Sequence, residues 1–142
     1  MTLYLVDASV VAEFLVGGTY TAHAQAFFKG AFTGDGFTIP ELCLSECANV
    51  IWKAVQHRGM PAAQALQALR DLKALPLKRA PTKAVLGMAL GIGLKHNLAI
   101  YDSLYIALAL RSKQVFVTLD VKQRTAAAAE GVTVKPITDF KP

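Results

Sequence analysis

Short apolar segments alternate with longer helical segments, and this alternation restricts the fold more than any other feature of the sequence. The run Leu3–Val6 suits a buried parallel strand, because helices cover both faces of such a strand. Further strands are predicted at 37–39, 75–79, 115–118 and 132–134. Helices are predicted over about 8–16, 19–32, 41–56, 61–74, 81–95, 102–110 and 121–130. The pattern is typical of an α/β domain with a mainly parallel sheet.

Size, hydropathy and charge narrow the class of protein. We expect residues 1–142 to form a single domain, and the 54% of hydrophobic residues suffices for a substantial core. The longest apolar run, 84–94, is well short of the roughly 20 residues that a membrane span needs. No signal peptide is apparent, so we expect a cytoplasmic protein. A net charge of +5 favours a polyanionic partner.

Three acidic residues stand where an α/β sheet could bring them together. Asp7 and Asp120 come just after two of the predicted strands. Ligands of open parallel sheets bind outside the carboxyl ends of the strands. Glu46 lies inside an apolar helix, on the same face as Asn49 and Lys53. A buried glutamate without a partner is costly, so Glu46 is also a candidate for chemistry.

Asp102 is the one charged residue in the segment Leu98–Leu110 and is predicted at the start of a helix. Two interpretations stand for it, a helix N-cap or a metal ligand. The cap is commoner in general, but the other three carboxylates favour the ligand. Glu13 and Glu41 have ordinary explanations, since Glu13 can point outward and Glu41 suits the positive end of a helix dipole.

Four carboxylates at one edge of a sheet would repel one another, and a hard divalent cation relieves that repulsion. Mg²⁺ and Mn²⁺ prefer such oxygen ligands and supply a water as nucleophile at a phosphate. The hydroxyls of Ser9 and Thr118 could orient a carboxylate or a water on the ion. The sequence has no P-loop, no dinucleotide fingerprint and no histidine–cysteine cluster.

Four segments of the chain together resemble the PIN-domain family, and specifically its VapC-type toxins of bacterial and archaeal toxin–antitoxin pairs. In chain order they are Leu5-Val6-Asp7-Ala8-Ser9-Val10, Pro40-Glu41-Leu42 with Glu46-Cys47-Ala48-Asn49-Val50, Tyr101-Asp102-Ser103-Leu104-Tyr105-Ile106-Ala107-Leu108-Ala109, and Val117-Thr118-Leu119-Asp120. One such motif is weak, but four in this order and at these spacings are specific.

The resemblance implies a Rossmann-like three-layer domain with a five-stranded parallel sheet in the order 3-2-1-4-5, flanked by helices. It also implies an endoribonuclease dependent on Mg²⁺ or Mn²⁺, with the ion held by Asp7, Glu46, Asp102 and Asp120. Such toxins are usually homodimers silenced by a VapB-type antitoxin. An extra acid sometimes present after the fourth motif is missing here, so the number of ions stays open.

The sequence thus predicts a metal-dependent endoribonuclease, with Lys53, Arg111 and Lys122 as candidate contacts to RNA phosphates. The alternatives are a PIN-like module that binds RNA without cutting it, a metal-dependent phosphatase and a DNA nuclease. A phosphatase would normally need an Asp-x-Asp turn, and here the turn is Asp7-Ala8-Ser9.

Overall fold

The structure, a computed structural model, describes all residues from 1 to 142 and contains one sheet flanked by seven helices. The strands are β1 Leu3–Val6, β2 Gly36–Pro40, β3 Leu77–Ala80, β4 Val115–Val117 and β5 Val134–Lys135. The helices are α1 Ala8–Val16, α2 Thr21–Phe28, α3 Leu42–Arg58, α4 Ala62–Ala74, α5 Leu86–His96, α6 Ile100–Ser112 and α7 Val121–Ala129. Short 3₁₀ turns cover 29–33, 83–85 and 137–139.

All neighbouring strands of the sheet are parallel, in the order β3-β2-β1-β4-β5. This confirms the predicted fold class and strand order. Strand β1 is central, and Leu5 pairs with Thr38 on one side and with Phe116 on the other. The N–H of Asp7 donates to the carbonyl oxygen of Val117 at 3.0 Å, which continues this pairing one residue beyond β1. The carboxyl ends of the two central strands therefore meet at Asp7.

Helix α6 forms much of the core and has no polar face. All its residues from Ser103 to Ala109 are buried, because the helix packs against α5, α7 and the sheet. No single helix of the structure is long and apolar enough to cross a membrane. The segments 83–96 and 100–112 reach the required length only when they are combined, and the chain bends by 118° between them.

A cluster of aromatic rings forms the part of the core between β1 and α2. Tyr4 of β1 makes an edge contact with Phe27 of α2, with ring centroids 5.1 Å apart. Phe140, near the end of the chain, packs on Phe27 with centroids 4.7 Å apart. The last residues of the chain are thereby attached to the sheet.

Several predicted boundaries were wrong, and at two of them a local hydrogen bond changes the path of the chain. The helix predicted over 19–32 begins at Thr21 and ends at Phe28, and the carbonyl of Gly30 accepts from the N–H of Asp35 instead of continuing the helix. The helix predicted from Pro81 begins only at Leu86, after the 3₁₀ turn. The strand predicted at 132–134 starts later, because the N–H of Val132 bonds to α7.

Candidate active site

The four predicted acids come together at the carboxyl edge of the sheet. Asp7 follows β1, and Asp120 lies shortly after β4. Glu46 lies in the second turn of α3, the helix that follows β2. Asp102 lies in the first turn of α6. The four acids are near enough that the charges of Asp7 and Asp102 raise the pKa of Glu46, and those of Asp7 and Asp120 raise the pKa of Asp102.

Asp7 is buried, with 7% of its surface exposed, and both of its carboxylate oxygens accept hydrogen bonds. It caps the N-terminus of α1, where Oδ2 accepts from the N–H of Ser9 at 3.0 Å. The hydroxyl of Thr118 lies 3.2 Å from the same oxygen. Oδ1 accepts from the side-chain amide of Gln123 at 3.3 Å. These contacts fix the orientation of the carboxylate.

Asp120 is exposed and caps the N-terminus of α7. Its Oδ1 accepts from the main-chain N–H of Gln123 at 3.0 Å, and its own N–H donates to Oγ1 of Thr118 at 3.1 Å. Asp7 and Asp120 thus both stand at helix N-termini, where the helix dipole favours negative charge.

The interpretation of Asp102 as a helix cap is wrong. Helix α6 begins at Ile100, and the N-cap is Ala99, whose extended backbone places its carbonyl to accept the first helical bond from Ser103. Asp102 is therefore inside the first turn. Burial raises the pKa of its carboxyl group, the nearby charges of Asp7 and Asp120 raise it further, and Lys122 opposes them.

Glu46 is half-buried and has a partner in the core. The hydroxyl of Tyr105 on α6 donates to Oε1 of Glu46 at 2.7 Å. Burial raises the pKa of Glu46, the hydrogen bond from Tyr105 lowers it, and the charges of Asp7 and Asp102 raise it again. Burial also raises the pKa of Tyr105, so its hydroxyl remains a donor.

Ser9 and Thr118 contact each other beside Asp7, at 3.3 Å between their hydroxyl oxygens. Oγ of Ser9 also accepts from the N–H of Leu119 at 3.0 Å, which ties the end of β4 to the start of α1. Both hydroxyls therefore contact segments that carry the acids, and their role in orienting a ligand of an ion stays a prediction.

The three predicted basic residues lie at different distances from the acids. Lys122 is beside Asp102, and its Nζ donates to the carbonyl of Asn97 at 2.7 Å. Lys53 is exposed on α3, two turns beyond Glu46. Arg111 lies in the last turn of α6, about 14 Å along the helix axis from Asp102.

Sequence reasoning missed two residues of the site, Tyr105 and Gln123. A tyrosine in an otherwise apolar core helix needs a partner for its hydroxyl, and that signal could have drawn attention to Tyr105. Gln123 stands in the sequence between Lys122 and Arg124, where a glutamine is expected to be solvated. Nothing in the sequence distinguished it.

The donor set suits a hydrated hard cation. It consists of carboxylates without histidine or cysteine, and two of the carboxyl groups have raised pKa values that a cation would reverse. No group of three or more His, Cys, Asp or Glu side chains is arranged so that it could hold an ion directly. The fit to Mg²⁺ therefore rests on the all-carboxylate donor set, since Mg²⁺ keeps several waters and is usually bound through one or two carboxylates.

Comparison with known proteins identifies the family. The family model of the PIN domain matches residues 4–129, so the chain belongs to the PIN-domain family. A comparison with curated protein sequences finds no match.

Several solved structures share the fold. PAE2754 from Pyrobaculum aerophilum has a TM-score of 0.72 at 22% identity, covering 97% of this chain and 85% of that one. VapBC2 from Rickettsia felis, bound to a DNA fragment from their promoter, has a TM-score of 0.69 at 13% identity, covering 95% and 98%. A toxin–antitoxin complex from Klebsiella pneumoniae has a TM-score of 0.53 at 14% identity, covering 84% and 88%. At these identities the similarity is one of fold, and it agrees with the assignment to the PIN family.

Proposed function

We propose that this PIN-domain protein is a metal-dependent endoribonuclease and the toxin of a type II toxin–antitoxin pair. The observation that carries the proposal is the convergence of Asp7, Glu46, Asp102 and Asp120 at the ends of the central strands. Such a cluster of acids in a basic protein is suited to hold a cation against a polyanion. The nuclease assignment is general to PIN domains, and the choice of RNA comes from the resemblance to VapC-type toxins.

The four acids would hold Mg²⁺ or Mn²⁺ directly or through water. When bound, the ion would lower the pKa of a water and neutralise charge at the scissile phosphodiester. Neighbouring residues of the chain orient these acids and affect their ionisation, which favours binding of the ion. Ser9 and Gln123 hold Asp7 in one orientation, and Tyr105 favours the ionised form of Glu46. Lys122 is the nearest of the candidate phosphate contacts, with Lys53 and Arg111 farther along their helices.

An antitoxin is the protein partner that we propose. Two of the similar structures are described as VapBC2 and as a toxin–antitoxin complex. On this chain, an apolar groove of about 430 Å³ runs between α3 and α4 and is lined only by apolar residues. Its rim includes Trp52 and Leu66, which are 55% and 59% exposed. An apolar segment of the antitoxin would cover them.

We further propose that the protein forms a homodimer through α5. Leu86, Leu90 and Leu94 are four residues apart and therefore lie on one face of this helix, and all three are about half exposed or more. An apolar stripe of this kind is usual at interfaces between protein chains. A second copy of the same helix could cover it.

The test of the nuclease is cleavage of total RNA by the purified protein with Mg²⁺, with Mn²⁺ and with EDTA. We expect cuts only with an added ion, and a loss of about a hundredfold or more in Asp7→Asn, as is usual when one group that stabilises charge at the reacting centre is removed. Asp71→Asn is the matched control, because it makes the same substitution at an exposed aspartate of α4. Equal cleavage by wild type and Asp7→Asn would contradict the assignment of Asp7 to the active site. Release of phosphate from a generic ester without RNA cleavage would favour the phosphatase.

The test of the toxin role is growth of a bacterial host after induction of the chain, beside Asp7→Asn at the same level. We expect arrest and discrete new RNA ends with the native residue alone. Arrest by both proteins would instead favour binding of RNA without cleavage.

A further inference from the structure

Gln123 is completely buried beneath the acids, and both polar atoms of its side chain are hydrogen-bonded there. Its side-chain Nε2 donates to Oδ1 of Asp7 at 3.3 Å and to the main-chain oxygen of Asp102 at 3.1 Å. Its Oε1 accepts from the hydroxyl of Thr118 at 2.7 Å. Its main-chain N–H donates to Oδ1 of Asp120 at 3.0 Å. One residue thus contacts segments that carry three of the four acids.

The neighbours of Gln123 determine which way its amide points. The carboxylate of Asp7 and the carbonyl of Asp102 can only accept, so the amide nitrogen must face them. The amide oxygen then faces Thr118, whose hydroxyl has one proton to give. The hydroxyl oxygen lies 2.7 Å from Oε1 of Gln123 and 3.2 Å from Oδ2 of Asp7, so the shorter distance favours donation to Gln123.

In this arrangement each oxygen of Asp7 receives one N–H. Ser9 donates to Oδ2 from the start of α1, and Gln123 donates to Oδ1 from α7. Rotation of the carboxylate would break at least one of these bonds. The side chain of Gln123 also links Asp7 to the first turn of α6, where Asp102 lies.

A role in packing alone does not account for a glutamine at this position. An apolar side chain would fill the same buried space without the cost of removing an amide from water. Gln114 shows the contrast, since its buried Oε1 has no hydrogen-bond partner. At Gln123 the amide is satisfied on both sides, and its partners are groups of the site.

We propose that Gln123 is a positioning residue that holds the Asp7 carboxylate in the orientation needed to bind the divalent ion. This inference rests on the proposed function, because it assigns Gln123 to the metal site of that nuclease. Gln123 acts through Asp7 and does not itself bind the ion. Loss of a side chain that holds a metal ligand in place typically weakens metal binding about 10- to 100-fold.

The experiment is titration of the full chain with Mn²⁺ in a calorimeter, for wild type and Gln123→Met. Methionine is unbranched and of similar length, so it fills the space and removes the side-chain hydrogen bonds, while the main-chain bond to Asp120 stays possible. We expect Mn²⁺ to bind about 10- to 100-fold more weakly to Gln123→Met. At saturating Mn²⁺, we expect kcat for RNA cleavage to return to within about threefold of wild type, because the ion itself then orients Asp7.

Gln114→Met is the matched control, with the same substitution before β4, at the opposite edge of the sheet. We expect it to bind Mn²⁺ as wild type does. The proteins are also compared without metal, by the NMR shift of the Asp7 carboxyl carbon. It should move in Gln123→Met and remain in place in Gln114→Met. A Gln123→Met protein that only melts earlier, with unchanged Mn²⁺ affinity and unchanged Asp7 signal, would overturn the positioning role.

A double-mutant cycle with Asp7→Asn shows whether Gln123 acts through Asp7. In the Asp7→Asn background, we expect Gln123→Met to change Mn²⁺ affinity less than twofold, because the oriented group is already lost. Equal effects in both backgrounds would overturn the inference and leave the nuclease proposal intact. A wild-type protein that neither binds Mn²⁺ nor cuts RNA would overturn both.

Discussion

The hydroxyl of Tyr105 donates to Oε1 of Glu46 at 2.7 Å, so a fully buried residue of the core helix α6 touches an acid of the candidate site. Glu46 itself belongs to α3, the helix that follows β2 in the chain. The bond joins the helix that forms the core to a helix that presents a candidate ligand. Through it, a residue of the core partly offsets the effect of burial, which raises the pKa of Glu46.

Tyr105→Phe removes this donor and should shift the acid limb of the cleavage profile to higher pH. The hydrogen bond from Tyr105 lowers the pKa of Glu46, so its loss leaves Glu46 protonated over a wider range. The measurement is kcat/KM against pH at fixed Mg²⁺. Tyr4→Phe is the control, because Tyr4 is also buried but lies in the aromatic cluster. An unshifted profile in Tyr105→Phe would show that Glu46 does not limit the rate at low pH.

Glu46→Gln should stabilise the protein in EDTA, and more so as the pH rises. In the folded chain, burial and nearby acids raise the pKa of Glu46 above its unfolded value. Between these two values the folded state binds more protons than the unfolded state, so wild-type stability falls as the pH rises. The glutamine has no such dependence and still offers an oxygen to Tyr105. The measurement is the difference in Tm between the two proteins from pH 4 to pH 8, and a difference independent of pH would contradict the prediction.

Mg²⁺ should stabilise wild type near neutral pH and lose its effect at low pH, where the carboxylates are protonated. At a free concentration 100 times its Kd, Mg²⁺ bound at a single site adds about 2.7 kcal/mol to the free energy of unfolding. Thermal melts with Mg²⁺ and with EDTA provide the measurement. Asp102→Asn should show a smaller gain, since one of the candidate ligands is then neutral. If Mg²⁺ stabilised Asp102→Asn as much as wild type, the assignment of Asp102 as a metal ligand would be wrong.

Lys122→Gln should weaken RNA binding and reduce its dependence on salt. Lys122 lies beside Asp102, where a phosphate on the metal site would come within reach. Loss of one phosphate contact lowers the slope of log K against log salt by about 0.7 for a single strand. Arg111→Gln is the comparison, and we expect a smaller change because Arg111 is at the far end of α6. Binding is measured with an Asp7→Asn background to prevent cleavage. If log K depended equally on log salt for the Lys122→Gln protein and its parent, the proposed contact between Lys122 and an RNA phosphate would be wrong.

Leu90→Glu should convert a dimer into a monomer. Leu90 is the middle residue of the exposed stripe on α5, and a dimer built there would have to bury the new charge without a partner. Light scattering after size-exclusion chromatography measures the mass. Trp52→Glu changes an exposed apolar residue of α3 and should leave the dimer intact. A Leu90→Glu protein that remains dimeric would place the interface elsewhere.

Much of the fold could be predicted because it depends on local pattern. Apolar runs identified the strands to within a few residues, and their alternation with helices indicated a parallel sheet. The order of the strands came from the resemblance to the PIN family and is confirmed. Boundaries were less accurate wherever a turn used a single hydrogen bond, as at Gly30 and Val132.

The sequence by itself determined that carboxylates would meet at one edge of the sheet. Asp7 and Asp120 come just after strands, and parallel strands bring their carboxyl ends to the same edge. Only the tertiary structure decided what surrounds these acids. Tyr105 and Glu46 are 59 positions apart in the chain, and Gln123 and Asp7 are 116 apart. Contacts at such separations depend on how whole elements pack, and no local periodicity encodes that packing.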